Sequence, residues 1–224
     1  ESIAIDGLSP FGKTQLETKK SFTLLLGGTA SEAPTFANVF SWLSNALHFG
    51  CPRALDQIEG AEISPKGLKL AVELGQWSRS DRARYELAID AKGSRQWEAL
   101  FITPNSGRNN RVNTSPDAIP EAWTQLLGVR ENGKIWFRNE AGKKAKALEF
   151  GLDESRLALS SLPEDTAAFP VMLAVRQFLL SGVQRSVFDP SLMREPCSPV
   201  GANTLSPNGA NLARVVADLE RQNP

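Results

Sequence analysis

Histidine and tyrosine each occur once in the 224 residues, and cysteine twice. One His48 with Cys51 and Cys197 far apart argues against a zinc site and against a Cys/His nucleophile pair. Two cysteines make no disulfide framework of the secreted type, so free thiols in a cytoplasmic protein are expected. No apolar run approaches ~18 residues, and no membrane span is expected. The opening "ESIAIDGL" has neither the basic start nor the long apolar core of a signal peptide. Charge of one sign is also missing: Lys plus Arg number 25, and so do Asp plus Glu. That removes the large basic excess that most simply announces a nucleic-acid partner, while leaving room for a local patch.

What is present suits a soluble globular chain, 41% hydrophobic and 22% charged, long enough for one large domain or two small ones. Three parts follow one another within a single predicted domain. Residues 1–60 read as strands and a helix, 61–151 as a β-meander, and 152–224 as a helical part. In the first part "SIAID" (2–6) and "KTQLET" (13–18) alternate like strands, and "FTLLL" (22–26) reads as a strand covered on both faces. From Thr35 to His48 the residues Phe36, Val39, Phe40, Leu43 and Leu47 recur at helical spacing, with Pro34 in the first turn. The meander takes in "LKLAVEL" (68–74), "ARYELAID" (83–90), "WEALFIT" (97–103), "KIWFRN" (134–139) and "AKALEFG" (145–151), with a polar loop over 104–118. Beyond Asp153 the pattern predicts a helix in "DESRLALSSL" and a second in "TAAFPVMLAVRQFLLSG", capped by Thr166 and stopped at Gly182. "VQRSVFDPSLMREP" reads as a strand and a short turn, and the close is an amphipathic helix on Leu212, Val215, Val216 and Leu219.

"SFTLLLGGTASEAPTFANVF" (21–40) carries the chemical question. A strand, a small-residue turn and a helix make the frame of a P-loop, G-x-x-x-x-G-K-[ST]. In that loop the backbone N–H groups and the helix N-terminus hold phosphate, the Lys adds charge, and the hydroxyl holds magnesium. With Gly27 as first glycine, the turn runs through Gly28, Thr29, Ala30 and Ser31. Glu32 then stands at the second glycine, Ala33 at the Lys and Pro34 at the Ser/Thr, with Thr35 next. A frame started at Gly28 puts Thr35 at the Ser/Thr position but Pro34 at the Lys and disturbs the helix phase. Pro34 has no amide to donate, Ala33 no charge, and Glu32 would set a carboxylate against phosphate. The alternative is a strand–turn–helix with no ligand.

The chain resembles the amino-terminal part of bacterial predicted ATPases with an ABC/SMC-type head, the group related to RecF and to the overcoming-lysogenization-defect nucleases. The order of "SIAIDGLSPFGKTQLETKKSFTLLLGG", the helix "ASEAPTFANVFSWLSNALHFG", the meander and the late pieces "DPSLMREP" and "SPNGANLARVVADL" carry the resemblance, which covers nearly the whole chain. It implies a mixed α/β (α+β) fold: the N-lobe of a P-loop NTPase-like head with an antiparallel β-meander and C-terminal helices. The Walker A turn is degenerate, and the Walker B pair, signature and switch histidine of the family belong to a second half not found here. The resemblance implies a noncatalytic or regulatory lobe acting through a protein partner or the missing half, in DNA repair or phage defence, with nucleic acid in the assembled complex. No cofactor is expected, ATP and Mg being the weaker alternative. Half of a split ATP-hydrolysing enzyme, or an interaction domain without nucleotide, are the other readings.

Other polar groups read as structural. His48 suits helix-end dipole duty. Ser80–Asp81 and Asp153–Glu154 suit solvated turns, and Arg108 and Arg111 a solvated loop that could touch phosphates. Trp77, Trp97, Trp123 and Trp136 suit core or partner surface.

Overall fold

Among the described residues, eight short segments, most of them alternating apolar and polar residues, build one antiparallel sheet. The computed structural model describes residues 2–9, 12–17, 32–56, 62–75, 82–103, 123–129, 133–140, 147–182, 186–198, 200–201 and 204–222, with the backbone alone at 32–37 and 222. The strands are β1 (Ser2–Asp6), β2 (Thr14–Glu17), β3 (Leu68–Leu74), β4 (Ala83–Ile89), β5 (Arg95–Ile102), β6 (Thr124–Val129), β7 (Lys134–Phe137) and β8 (Leu148–Gly151). They lie in the order β2-β1-β3-β4-β5-β6-β7-β8, every neighbouring pair antiparallel. The fold is mixed α+β.

Register places like with like. One rung runs Leu16–Ile3–Val72–Tyr85–Leu100–Leu127–Phe137–Leu148 across the whole sheet. Its members from Ile3 to Phe137 are buried. A slip of one residue would turn every one of them to the opposite face. Upon this face lies helix α1 (Glu32–Phe49), presenting Val39, Trp42, Leu43, Ala46 and Leu47 to the same cluster. After the break at Gly50 comes the short α2 (Cys51–Leu55), which buries Cys51 and Ala54. A 3₁₀ turn (Ala158–Ser161) and helix α3 (Pro170–Gln177), prolonged by a wide turn over Phe178–Gly182, complete the cover with Leu157, Leu159, Leu162, Phe169, Met172 and Val175. The opposite face is buried in part: Ala99, Phe101 and Trp123 form a smaller cluster beside the Arg84–Glu86 ion pair at 2.7 Å.

The chain divides into two compact units, Glu1–Gly182 and Val183–Pro224. The second holds α4 (Pro190–Arg194) and α5 (Leu212–Gln222). Asp189 caps α4 by accepting from Ser191 N at 2.9 Å, with Pro190 in the first turn where its missing N–H is harmless. The turn before α5 is knitted by Asn211, whose Oδ1 accepts from Ser206 N at 2.6 Å and whose Nδ2 donates to Thr204 O at 2.9 Å.

The sequence pattern differs from the structure at definable places. Helix α1 starts at Glu32 rather than Thr35. β6 has no alternation to announce it, because Leu126 and Leu127 are adjacent and both buried, with Gly128 beside them. Thr166 is not the cap of α3; the residue before that helix is Phe169, which offers no side-chain cap. Asp189–Pro190 begins a helix where a strand and turn were expected. The expected strand at 22–26 and the loop at 104–118 lie outside the described residues.

Gly67 shows how tightly the strand ends meet. It holds φ +89°, and a Cβ there would stand 2.1 Å from Ile89 O. Gly67→Ala should therefore lower the urea midpoint by the equivalent of at least roughly 1–3 kcal/mol, the cost of the backbone conformation alone.

Candidate functional site

The nucleotide-loop residues divide at the start of α1. Gly27, Gly28, Thr29, Ala30 and Ser31 lie outside the described residues, while Glu32, Ala33, Pro34 and Thr35 form the helix's first turn. Trp77, Ser80, Asp81, Arg108 and Arg111 also lie outside them. His48 sits in the last turn of α1, as its helix-end role requires, and is exposed. Asp153 lies in a turn, accepting from Ser155 N at 2.7 Å. Trp97 is partly exposed on β5, and Trp123 is buried.

A buried group of ionisable side chains lies elsewhere, beneath the segment 153–162. In "RQWEALFI" the residues that face the core are Glu98, Leu100 and Ile102 by alternation, so a carboxylate stands among apolar side chains. Glu98 is fully buried. Its Oε1 accepts from Tyr85 Oη at 2.9 Å and from Leu159 N at 2.9 Å, and its Oε2 accepts from Ala158 N at 2.5 Å. The carbonyls just upstream are taken from the other side. Arg95 N donates to Glu154 O at 2.7 Å, Cys51 N to Ser155 O at 2.7 Å, and the Arg95 guanidinium to Arg156 O.

This explains why "DESRLALSSL" is not α-helical. An α-helix would join the N–H groups of Ala158 and Leu159 to the carbonyls of Glu154 and Ser155. Glu98, Arg95 and Cys51 hold all four groups instead, and what remains is a turn and a 3₁₀ segment. Gly50 permits the approach: it holds φ +91°, and a Cβ there would meet Ser155 O at 2.9 Å.

Burial dominates the protonation of this group. It raises the Glu98 carboxyl, against the pull of the Leu159 and Ala158 amides, Arg95 and Tyr85. Burial first, then the Glu98 charge, raises the Tyr85 phenol. The Cys51 thiol is pushed up from 9.0 to about 12, by burial and then by Glu98, with Arg95 opposing. A thiol so placed is a poor nucleophile. Apart from the Tyr85–Glu98 hydrogen bond, every polar contact named here is spent on backbone, so the cluster is a fastening rather than a reaction centre.

A second carboxylate works in the same way. Glu140, just after β7, accepts from Val171 N at 2.9 Å and Met172 N at 3.1 Å, supplying the cap that Phe169 cannot. Its carboxyl is raised by burial, with those two amides opposing. Asp165 adds to the fixing, its Oδ1 taking the Ala167 and Ala168 amides at 3.0 Å.

Among the described residues no group of three or more His, Cys, Asp or Glu could hold a metal ion. Among them too, no helix is long and apolar enough to cross a membrane. Sequence reading missed Glu98, and the signal was available: an acidic residue in phase with Leu100 and Ile102. Glu140 had no such signal, since its partners lie 31 and 32 residues away. No protein family, curated protein or solved structure matches the chain.

Tyr85→Phe removes one of the donors to the buried carboxylate and should cost about 1–3 kcal/mol in urea unfolding, with the far-UV spectrum unchanged. The thiols give an independent reading. At pH 8 a shift from 9.0 to about 12 leaves roughly a thousandfold less Cys51 thiolate. Mass spectrometry of the native protein in iodoacetamide should find Cys197, which is partly exposed, modified first and Cys51 only on unfolding.

Proposed function

We propose that the chain is a noncatalytic lobe of the ABC/SMC-head kind, with a degenerate nucleotide loop, and that it works by binding another protein. The observation that carries this reading is the composition of one turn. The positions that grip triphosphate in a P-loop are Glu32, Ala33 and Pro34, in the first turn of α1. The frame supplies a helix N-terminus, whose dipole favours anions, but no lysine, no hydroxyl for magnesium and one amide fewer. The mixed α+β fold and the order of β1, β2, α1 and the meander support the reading, while the strand at 22–26 that would lead into the turn lies outside the described residues. The perturbed side chains agree with it from the other direction: Glu98, Tyr85 and Cys51 are engaged in fastening and are closed to solvent. A role in DNA repair or phage defence, on a complex that includes nucleic acid, follows from the resemblance alone.

Titration of the purified chain with a fluorescent ATP analogue and magnesium should give no saturable binding. The triple variant Glu32→Gly, Ala33→Lys, Pro34→Ser should gain it. Saturable binding on the order of micromolar by the unaltered chain would overturn the noncatalytic reading. A triple variant as silent as its parent would show that the turn never cups a phosphate.

A further inference from the structure

Helix α5 leaves one edge of its apolar stripe in water. Leu212, Val215, Val216 and Leu219 fall at i, i+3, i+4 and i+7, an apolar stripe about 100° wide that a surface helix ordinarily turns to its core. Yet Leu219 is 54% exposed and Val216 43%. Arg214, on the polar side, is more enclosed than those two, and its guanidinium donates to Ser198 O at 3.3 Å and Val200 O at 3.1 Å. Leu212 and Val215 are half-buried, as Arg214 is, so the unit packs on one flank of α5 and leaves the Val216–Leu219 edge of the stripe to water. The rest of the unit has little else to bury. Among the described residues of Val183–Pro224, none belongs to either buried hydrophobic cluster, and Phe188 is exposed too. A segment of about 40 residues rarely stabilises itself without a covering surface.

The borders of the stripe say what kind of surface. At about 100° per residue, Asp218 lies beside Val215 on one side and Glu220 beside Val216 on the other. Arg214 is engaged with the two carbonyls, and Arg221, far round the helix, pairs with Asp218 at 3.2 Å. That pair is exposed on its Arg221 side and weak enough to be exchanged. The stripe is thus apolar with acidic margins. We propose that it docks an amphipathic helix of a partner protein whose own apolar stripe is bordered by Lys and Arg. This rests on the protein-partner half of the reading above and is independent of the nucleotide half. An anionic membrane would meet the same carboxylates unfavourably, and a second α5 would bring further carboxylates to the same margins.

Fluorescence anisotropy with the full chain and two labelled helical peptides tests the proposal. The peptides, each roughly 18 residues to hold a helix, share one Leu stripe and differ only in Lys or Glu at its borders. The Lys peptide should bind saturably, and the Glu peptide about tenfold more weakly or worse. Val216→Asp with Leu219→Asp should abolish binding; both side chains are exposed, so circular dichroism should be unchanged. Asp218→Lys with Glu220→Lys should reverse the preference between peptides. Equal affinity for both peptides, absence of binding, or binding indifferent to the Val216 and Leu219 changes overturns the proposal. So does sedimentation showing self-association that those changes remove, which would assign the stripe to a second copy. The ATP-analogue titration is untouched by any of these outcomes, so the two readings fail separately.

Discussion

A buried carboxylate reaching for backbone amides is the constraint on which the larger unit depends. Glu98 stands in the core face of β5 and holds the amides of Ala158 and Leu159, while Arg95 and Cys51 hold the carbonyls before them. A charge in an apolar layer is costly unless every lone pair is used. Here the cost is offset by three donors and a nearby guanidinium. The return is geometric. The segment that leads from β8 to α3 is prevented from coiling into a helix and is laid flat, so that Leu157, Leu159 and Leu162 reach the same cluster as α1.

Glu140 repeats the device at the start of α3. Two carboxylates on the sheet side thus determine where the covering segment lies: Glu98 overrules helix formation in 153–162, and Glu140 caps the helix that follows. This is why the unit's perturbed ionisable groups say so little about reactivity. Raised protonation values often mark active sites. For Glu98, Tyr85 and Cys51 the shifts follow from burial in a fastening, and these groups are closed to solvent.

The two units contrast in how they use apolar surface. The larger closes a dense core on one sheet face and a second cluster on the other. The smaller is organised by polar ties, Asn211 to Ser206 and Thr204, Asp189 to Ser191, Arg214 to two carbonyls. Such ties fix shape with little burial of oil, and they leave Val216 and Leu219 of α5 exposed.

Much of the architecture was legible along the chain. β1 and β3 fall where alternation put them, α1 follows from its Val39–Leu43–Leu47 periodicity, and Glu98 stands in a core phase that alternation declares. The composition of the turn at Glu32, Ala33 and Pro34 is likewise a property of the sequence, and the case against a gripping nucleotide loop comes from it. The tertiary structure decided the rest. Whether 153–162 would coil and what caps α3 depend on groups tens of residues distant, and the flank of α5 that meets its neighbours is tied to carbonyls 14 and 16 residues away. Local propensity is worth tenths of a kcal/mol per residue, roughly, whereas a satisfied or orphaned buried charge is worth several. When the two disagree the longer-range term prevails, and no window of sequence contains it.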